Sequence, residues 1–265
     1  MSENYQKELE TAKEAAKKAS EVIHHYSSSK SFSIELKGKN DLVTEADLAS
    51  EKEIIRIIKK EFPEDNFLAE ESNTKTKLPD GRVWIIDPID GTTNFAHGFP
   101  IYCISIALWV DGIPKVALVK EVAKGELFWA TEGGGAFLDD KELKVSDEPD
   151  PSKSLIGTGF PYTAFKHVED YLNLLKSLMQ NTHGLRRPGA ASYDLCCVAA
   201  GRFEGFFEYG LSPWDVAAGA LIIKEAGGLV TDWNREEDWL FGQSIIAGNT
   251  QIVNFLQVQI NEHFK

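Results

Sequence analysis

Four consecutive apolar residues, Val83-Trp84-Ile85-Ile86, run without a break into Asp87-Pro88-Ile89-Asp90-Gly91-Thr92-Thr93-Asn94-Phe95. An unbroken apolar run marks a strand covered on both faces, so this segment sets a sheet inside the fold. The run stops at Asp87. Pro88 has no N–H to give a ladder and a fixed φ, which predicts that the strand ends there. Asp87 and Asp90 then sit at the mouth of a buried strand, where carboxylates are costly unless something cationic lies between them. A divalent metal is the natural candidate. Gly91 lets a ligand approach the backbone, and the N–H groups and hydroxyls that follow can cradle an anion. A strand-to-turn junction would account for Asp-Pro and Asp-Gly one at a time, but it does not require the whole string.

The chain of 265 residues has a formal net charge of −13. Such an excess of acid argues against nucleic acid as a partner, since phosphate backbones are held by clustered Lys and Arg. Hydrophobic and charged contents of 43% and 26% fit a soluble globular chain. No apolar run reaches the roughly 18 residues of a membrane span, and the charged first residues lack the apolar core of a secretion signal. The cysteines are Cys103, Cys196 and Cys197. An odd number with two adjacent does not read as a disulfide framework, so buried thiols in a reducing cytoplasm are expected. None has an obvious His partner, which argues against a cysteine nucleophile.

Taken in order, residues 3–26 carry Leu9, Ala12, Ala16, Ala19 and Ile23 at helical spacing. A polar strand-and-loop excursion with Lys37 and Lys39 follows. Thr44 with Asp47 reads as a capping box for a helix that ends near Glu61, before Pro63. Phe67-Leu68-Ala69 is a short strand running into Glu70-Glu71. Residues 101–145 form an antiparallel meander, with Asp111-Gly112 as a hairpin turn. Gly133-Gly134-Gly135 is a turn, because no helix follows to make it a dinucleotide loop. The loop around Asp147–Ser152 divides the chain into two halves, 1–147 and 148–265. Beyond it strands alternate with helices (155–159, 165–180, 184–187, 190–201, 203–209, 213–226, 229–232, 244–247 and 250–263), which implies a layered α/β half. Asp215 lies in the first turn of the helix opened by Pro213, where an anion is favoured.

The string Asp87–Phe95 resembles the first signature of the inositol monophosphatase family. Trp214-Asp215-Val216-Ala217-Ala218-Gly219-Ala220, running on to Glu225-Ala226-Gly227-Gly228, resembles its second. The resemblance covers roughly residues 5–262 and implies a magnesium-dependent phosphatase with an α-β-α-β-α layered fold, its N-terminal half built on an antiparallel sheet. It implies two or three magnesium ions, one held by Glu70, Asp87 and the carbonyl of Ile89, another by Asp87, Asp90 and Asp215. Glu70 and Thr92, the latter helped by Asp47, would orient the attacking water. The N–H groups of Gly91 and Thr92 would hold the phosphate, and Asp90, Gly189, Ala190, Ala191, Glu208 and Asp215 would contact the rest of the substrate. Metals between carboxylates and a phosphate monoester also reconcile an acidic chain with an anionic substrate.

Inositol monophosphate is the substrate expected from Thr93-Asn94-Phe95. Relatives acting on 3′-phosphoadenosine 5′-phosphate, fructose 1,6-bisphosphate, histidinol phosphate or NADP supply the alternatives, and a non-catalytic metal-binding scaffold is another. The family's loop lysine matches Lys37 or Lys39. Lithium sensitivity and a homodimer are implied too, and Trp109 and Trp129 in the meander offer apolar surface for the dimer.

Overall fold

The buried run becomes the second strand of a seven-stranded sheet. A computed structural model describes residues 5–29, 34–38, 41–72, 77–160 and 167–264. The large sheet has the order β3 (Asn66–Ala69), β4 (Arg82–Asp90), β5 (Cys103–Val110), β6 (Ile113–Glu121), β7 (Leu127–Thr131), β8 (Gly135–Leu138) and β9 (Lys141–Glu142). A five-stranded sheet is ordered β11 (Gly184–Arg186), β10 (Leu155–Thr158), β12 (Gly205–Tyr209), β14 (Ser244–Gly248), β13 (Leu229–Thr231). A ribbon of β1 (Ile34–Gly38) and β2 (Asp41–Thr44) stands apart from both.

Helices fill the spaces on either side of the sheets. α1 (Gln6–Ser29) and α2 (Glu45–Glu61) cover one face of the large sheet; α5 (Ala191–Ala199) and α6 (Pro213–Glu225) lie between the two sheets; α4 (Val168–Asn181) and α7 (Thr250–His263) cover the far face of the small one. This is the expected α-β-α-β-α layering. β4 shows why its sequence has no polar face. Val83 and Ile85 point into the core between the sheets, while Trp84 and Ile86 point into the core under α1 and α2. α6 is buried from Val216 to Ile223 for the same reason, since a helix with sheets on both sides has no wet side.

One expectation needs correction. β4 does not end at Pro88 but continues to Asp90. Its pairing with β5 shifts register between Asp87↔Ser105 and Asp90↔Cys103, and the pairing with β3 stops at Ile86. Pro88 therefore sits at an irregularity where no ladder bond is asked of it. The large sheet is antiparallel from β4 to β9, with β3 added at its edge. β3 runs parallel to β4. The small sheet is mixed as well, with β10 parallel to β11 and β12, and β14 antiparallel to β12 and β13.

The remaining expectations divide. Asp111 and Gly112 both adopt positive φ, as a tight hairpin requires. Cys103, Cys196 and Cys197 are buried and free, and burial raises each thiol's pKa. Trp109 is buried and Trp129 is half-buried. Trp109 packs on Trp239 in the main core, and Trp129 stacks on Phe137 with the Lys13 ammonium over its ring. Lys39 and Phe165 lie outside the described residues, and of Lys37 only the backbone, in β1, is described. Among the described residues no helix is long and apolar enough to cross a membrane.

Candidate active site

The extension of β4 past Pro88 is what gathers the acids. Asp87 and Asp90 flank the register shift, and Asp215 enters from the first turn of α6. One carboxylate oxygen of each lies within 4.8 Å of the others. Each acid is also pinned by backbone. Ile89 N donates to Asp87 Oδ1 (3.0 Å) and Ser212 N to Asp215 Oδ2 (2.7 Å), the latter completing a capping box on α6. Asp90 reaches across to α5, where Ala191 N (3.3 Å), Ser192 N (2.6 Å) and Ser192 Oγ (2.5 Å) donate to it.

Burial is the first reason that all three carboxyls hold their protons more tightly than usual. For Asp87 the carboxylates of Glu70, Asp90 and Asp215 add to it. Asp215, half-buried at the cavity, is pushed up to about 8. Acids this close and this enclosed carry their charge only when a cation shares it. Hard oxygen donors in this number suit a magnesium-class ion.

Asp47 has two jobs. Thr44 N and Thr44 Oγ1 donate to its Oδ2 (2.8 and 2.6 Å), which caps α2. Its Oδ1 faces Thr92 Oγ1 at 3.0 Å, and the same hydroxyl lies 2.9 Å from the carbonyl of Ile89. Glu70 follows β3 directly, its N–H bonded to Ile86 O at 3.2 Å and its side chain bonded to Asp87. Glu71 gives its N–H to Glu51 Oε2 (2.8 Å).

Gly91 makes the turn from β4 into α3 (Thr92–Ala96) with φ +91°, a left-handed conformation that other residues resist. Asn94 on α3 donates to Ile101 O (2.8 Å) and to Pro188 O (2.9 Å), tying this turn to the loop before α5.

These groups open on a cavity of about 230 Å³. Glu70, Asp90, Gly91, Thr92, Gly189, Ala190, Ala191, Glu208 and Asp215, all singled out in the sequence, line it. Asp87, Ile89 and Asp47 stand behind that lining. Glu208, on β12, is buried and pushed up to about 8 by that burial, with Asp90 adding to the effect and the Arg187 guanidinium opposing it. Its carboxylate lies over Gly159, where a Cβ would come within 1.9 Å of Oε1. Arg187, Asp194 and Gly159 also line the cavity and were not found from sequence. The available signals were a double arginine before Pro188-Gly189, and one acid in an otherwise apolar helix turn.

Layering of this kind, with clustered acids at a cavity, is the architecture of the phosphatase class to which the two motifs pointed. The chain belongs to the inositol monophosphatase family, whose model matches residues 4–264. It is 42% identical over 256 residues to the putative Nus factor SuhB of Neisseria meningitidis serogroup B, covering 96% of this chain and 98% of that protein. Among solved structures it is similar to the extragenic suppressor protein suhB of Bartonella henselae, with 37% identity, a TM-score of 0.91, and coverage of 96% of this chain and 98% of that one. It is similar also to the inositol monophosphatase of Anabaena, with 36% identity, a TM-score of 0.87 and 98% of each chain covered.

Proposed function

We propose that this chain hydrolyses the phosphate monoester of a cyclic polyol, inositol monophosphate first, with magnesium as its cofactor. The observation that carries this reading is the Asp87, Asp90 and Asp215 cluster opening on a cavity that also holds a buried acid, Glu208. Glu70, Asp87 and the Ile89 carbonyl would hold one ion, and Asp87, Asp90 and Asp215 another. Bound there, magnesium supplies an activated water and neutralises charge on the phosphate and the leaving oxygen.

The protein's own groups do the rest. With its hydrogen bond donated to Asp47, Thr92 Oγ1 keeps its lone pairs free to accept a hydrogen bond from a water that Glu70 would hold on the other side. The N–H groups of Gly91 and Thr92 would hold the phosphate. Glu208, which would repel a phosphate, accepts instead from hydroxyls of the alcohol. A second phosphate, as on fructose 1,6-bisphosphate or 3′-phosphoadenosine 5′-phosphate, would meet both Glu208 and Asp194 across the cavity, against one arginine.

A panel of phosphate monoesters assayed with and without metal tests the reading. Inositol monophosphate hydrolysis should vanish in excess chelator and return with magnesium, while calcium, with looser and longer coordination, should restore little. Full turnover in excess chelator would sink the metal mechanism, and no turnover of any ester would leave a scaffold. Glu208→Ala tests the alcohol side. The ratio of kcat/KM for inositol monophosphate to that for 4-nitrophenyl phosphate should fall by about tenfold, the scale set by leaving a substrate hydroxyl unpaired. Equal losses on both esters would assign Glu208 to structure or to metal tuning.

We further infer a homodimer from the family resemblance alone, which sedimentation equilibrium tests. From the names of the SuhB relatives we also propose a Nus factor role, independent of the chemistry.

A further inference from the structure

α5 presents more than small residues to the cavity. Ala190 at its N-cap, and Ala191 and Asp194 in its first turns, all line the cavity. Asp194 is 1% exposed, and its Oδ1 has no hydrogen-bond partner among the described residues. Its carboxyl is held well above the usual range by burial first, then by Glu208 and Asp90, with Arg187 opposing. A buried carboxyl oxygen with no donor is costly, and such atoms are rare unless something outside the protein supplies the donor.

Resting on the polyol reading above, we propose that Asp194 is a second substrate-binding acid: its carboxyl takes a different ring hydroxyl from the one taken by Glu208. Two acids at separate points of one cavity wall would read the spacing of hydroxyls on the ring, where a single acid would read only that a hydroxyl is present. The site then selects a rigid cyclic polyol over an open-chain or monohydroxylated alcohol. No charge needs balancing by a further cation, because hydroxyls donate to either protonation state of the acid.

The experiment uses the magnesium-loaded enzyme and a set of inositol monophosphates each lacking one ring hydroxyl. The wild type should show at least two separate positions at which deletion lowers kcat/KM by about tenfold. In Asp194→Leu, of similar volume but without an acceptor, one of those penalties should disappear and the other persist. In Glu208→Ala the assignment should reverse. Penalties unaltered in Asp194→Leu would overturn the proposal. Should that variant fail to fold, wild type and Glu208→Ala decide alone: a single sensitive position, lost in Glu208→Ala, leaves Asp194 without a hydroxyl and also overturns it. A wild type that does not hydrolyse intact inositol monophosphate overturns the polyol reading itself, an outcome visible before any deoxy substrate is tried.

Discussion

Asp90→Asn should lose at least about a hundredfold in kcat, the equivalent of roughly 2.7 kcal/mol of transition-state stabilisation. Both carboxylate oxygens accept from the start of α5, Oδ1 from Ala191 N and Oδ2 from Ser192 N and Oγ, while the same group belongs to the acid cluster. An amide has one acceptor in place of two, so its NH₂ must be turned against one of those backbone N–H groups, and the acid cluster loses a charge. The stability of the metal-free protein offers a second readout. The folded pKa values of Asp87, Asp90 and Asp215 are raised, so their contribution is fully present below the unfolded value of about 4 and is lost as pH rises through the folded values. For Asp215 that loss extends to about 8. The wild type in chelator should therefore melt at progressively lower temperature between about pH 5 and pH 8. Asp90→Asn, with one fewer like charge in the cluster, should fall less steeply. A kcat near wild type, or an unaltered slope of Tm with pH, would show that Asp90 is only a helix cap. If the variant has lost hydrolysis yet replaces a SuhB in a cell that lacks one, the Nus role is separate from the chemistry.

Gly91→Val should damage both fold and activity. The residue sits at φ +91°, where a Cβ would stand 3.1 Å from Ile101 O, 3.2 Å from Gly189 O and 3.3 Å from Ala190 Cβ. The left-handed region alone costs a side chain about 1–2 kcal/mol, and a β-branched one more. Neither carbonyl can retreat freely, because Asn94 holds Ile101 O and the adjacent Pro188 O. We expect a loss of about 2–4 kcal/mol in urea denaturation. We also expect at least about a hundredfold lower kcat in saturating magnesium, because any relief of the clash displaces Asp90 or Thr92. Gly98→Ala is the control. It has φ +69° and nothing within 4 Å of its Cβ, so it pays only the backbone term of about 1–2 kcal/mol. A Gly91→Val enzyme within threefold of wild type would mean that the turn is not held as tightly as the contacts imply.

Much of this was legible in the sequence, for local reasons. The apolar run before Asp87 revealed the doubly covered strand, and Thr44 with Asp47 revealed the cap on α2. Pro213 before Asp215 marked a helix start that carries an acid. What could not be read depends on where distant segments land. The continuation of β4 through Pro88 is decided by β5, which tolerates a register shift there, and by β3 ending at Ile86. Asp90's bonds to α5 depend on a helix 101 residues further along. Arg187 and Asp194 gain meaning only once that helix lies against β4, because on its own sequence Asp194 reads as one polar residue in a helix's first turns. The doubling of Asp47, cap and partner of Thr92, was readable as a cap from spacing and as a partner only from the family resemblance.

The bond from Asp90 to Ser192 also sets an order in time. At the usual pace of synthesis, roughly 5–20 residues per second, about 5–20 s separate the appearance of this acid from that of its partners on α5. Asp215 emerges later still. Throughout that interval Asp90 lacks the helix start that bonds it, and the acids of β4 lack the third carboxylate that completes their cluster, so the site is unfinished however much of the large sheet has formed. A cation held by the finished cluster, as proposed above, would bind only that arrangement and so would add stability to it alone. Magnesium supply would then govern how much of the newly made chain stays folded, as well as how fast the folded part works.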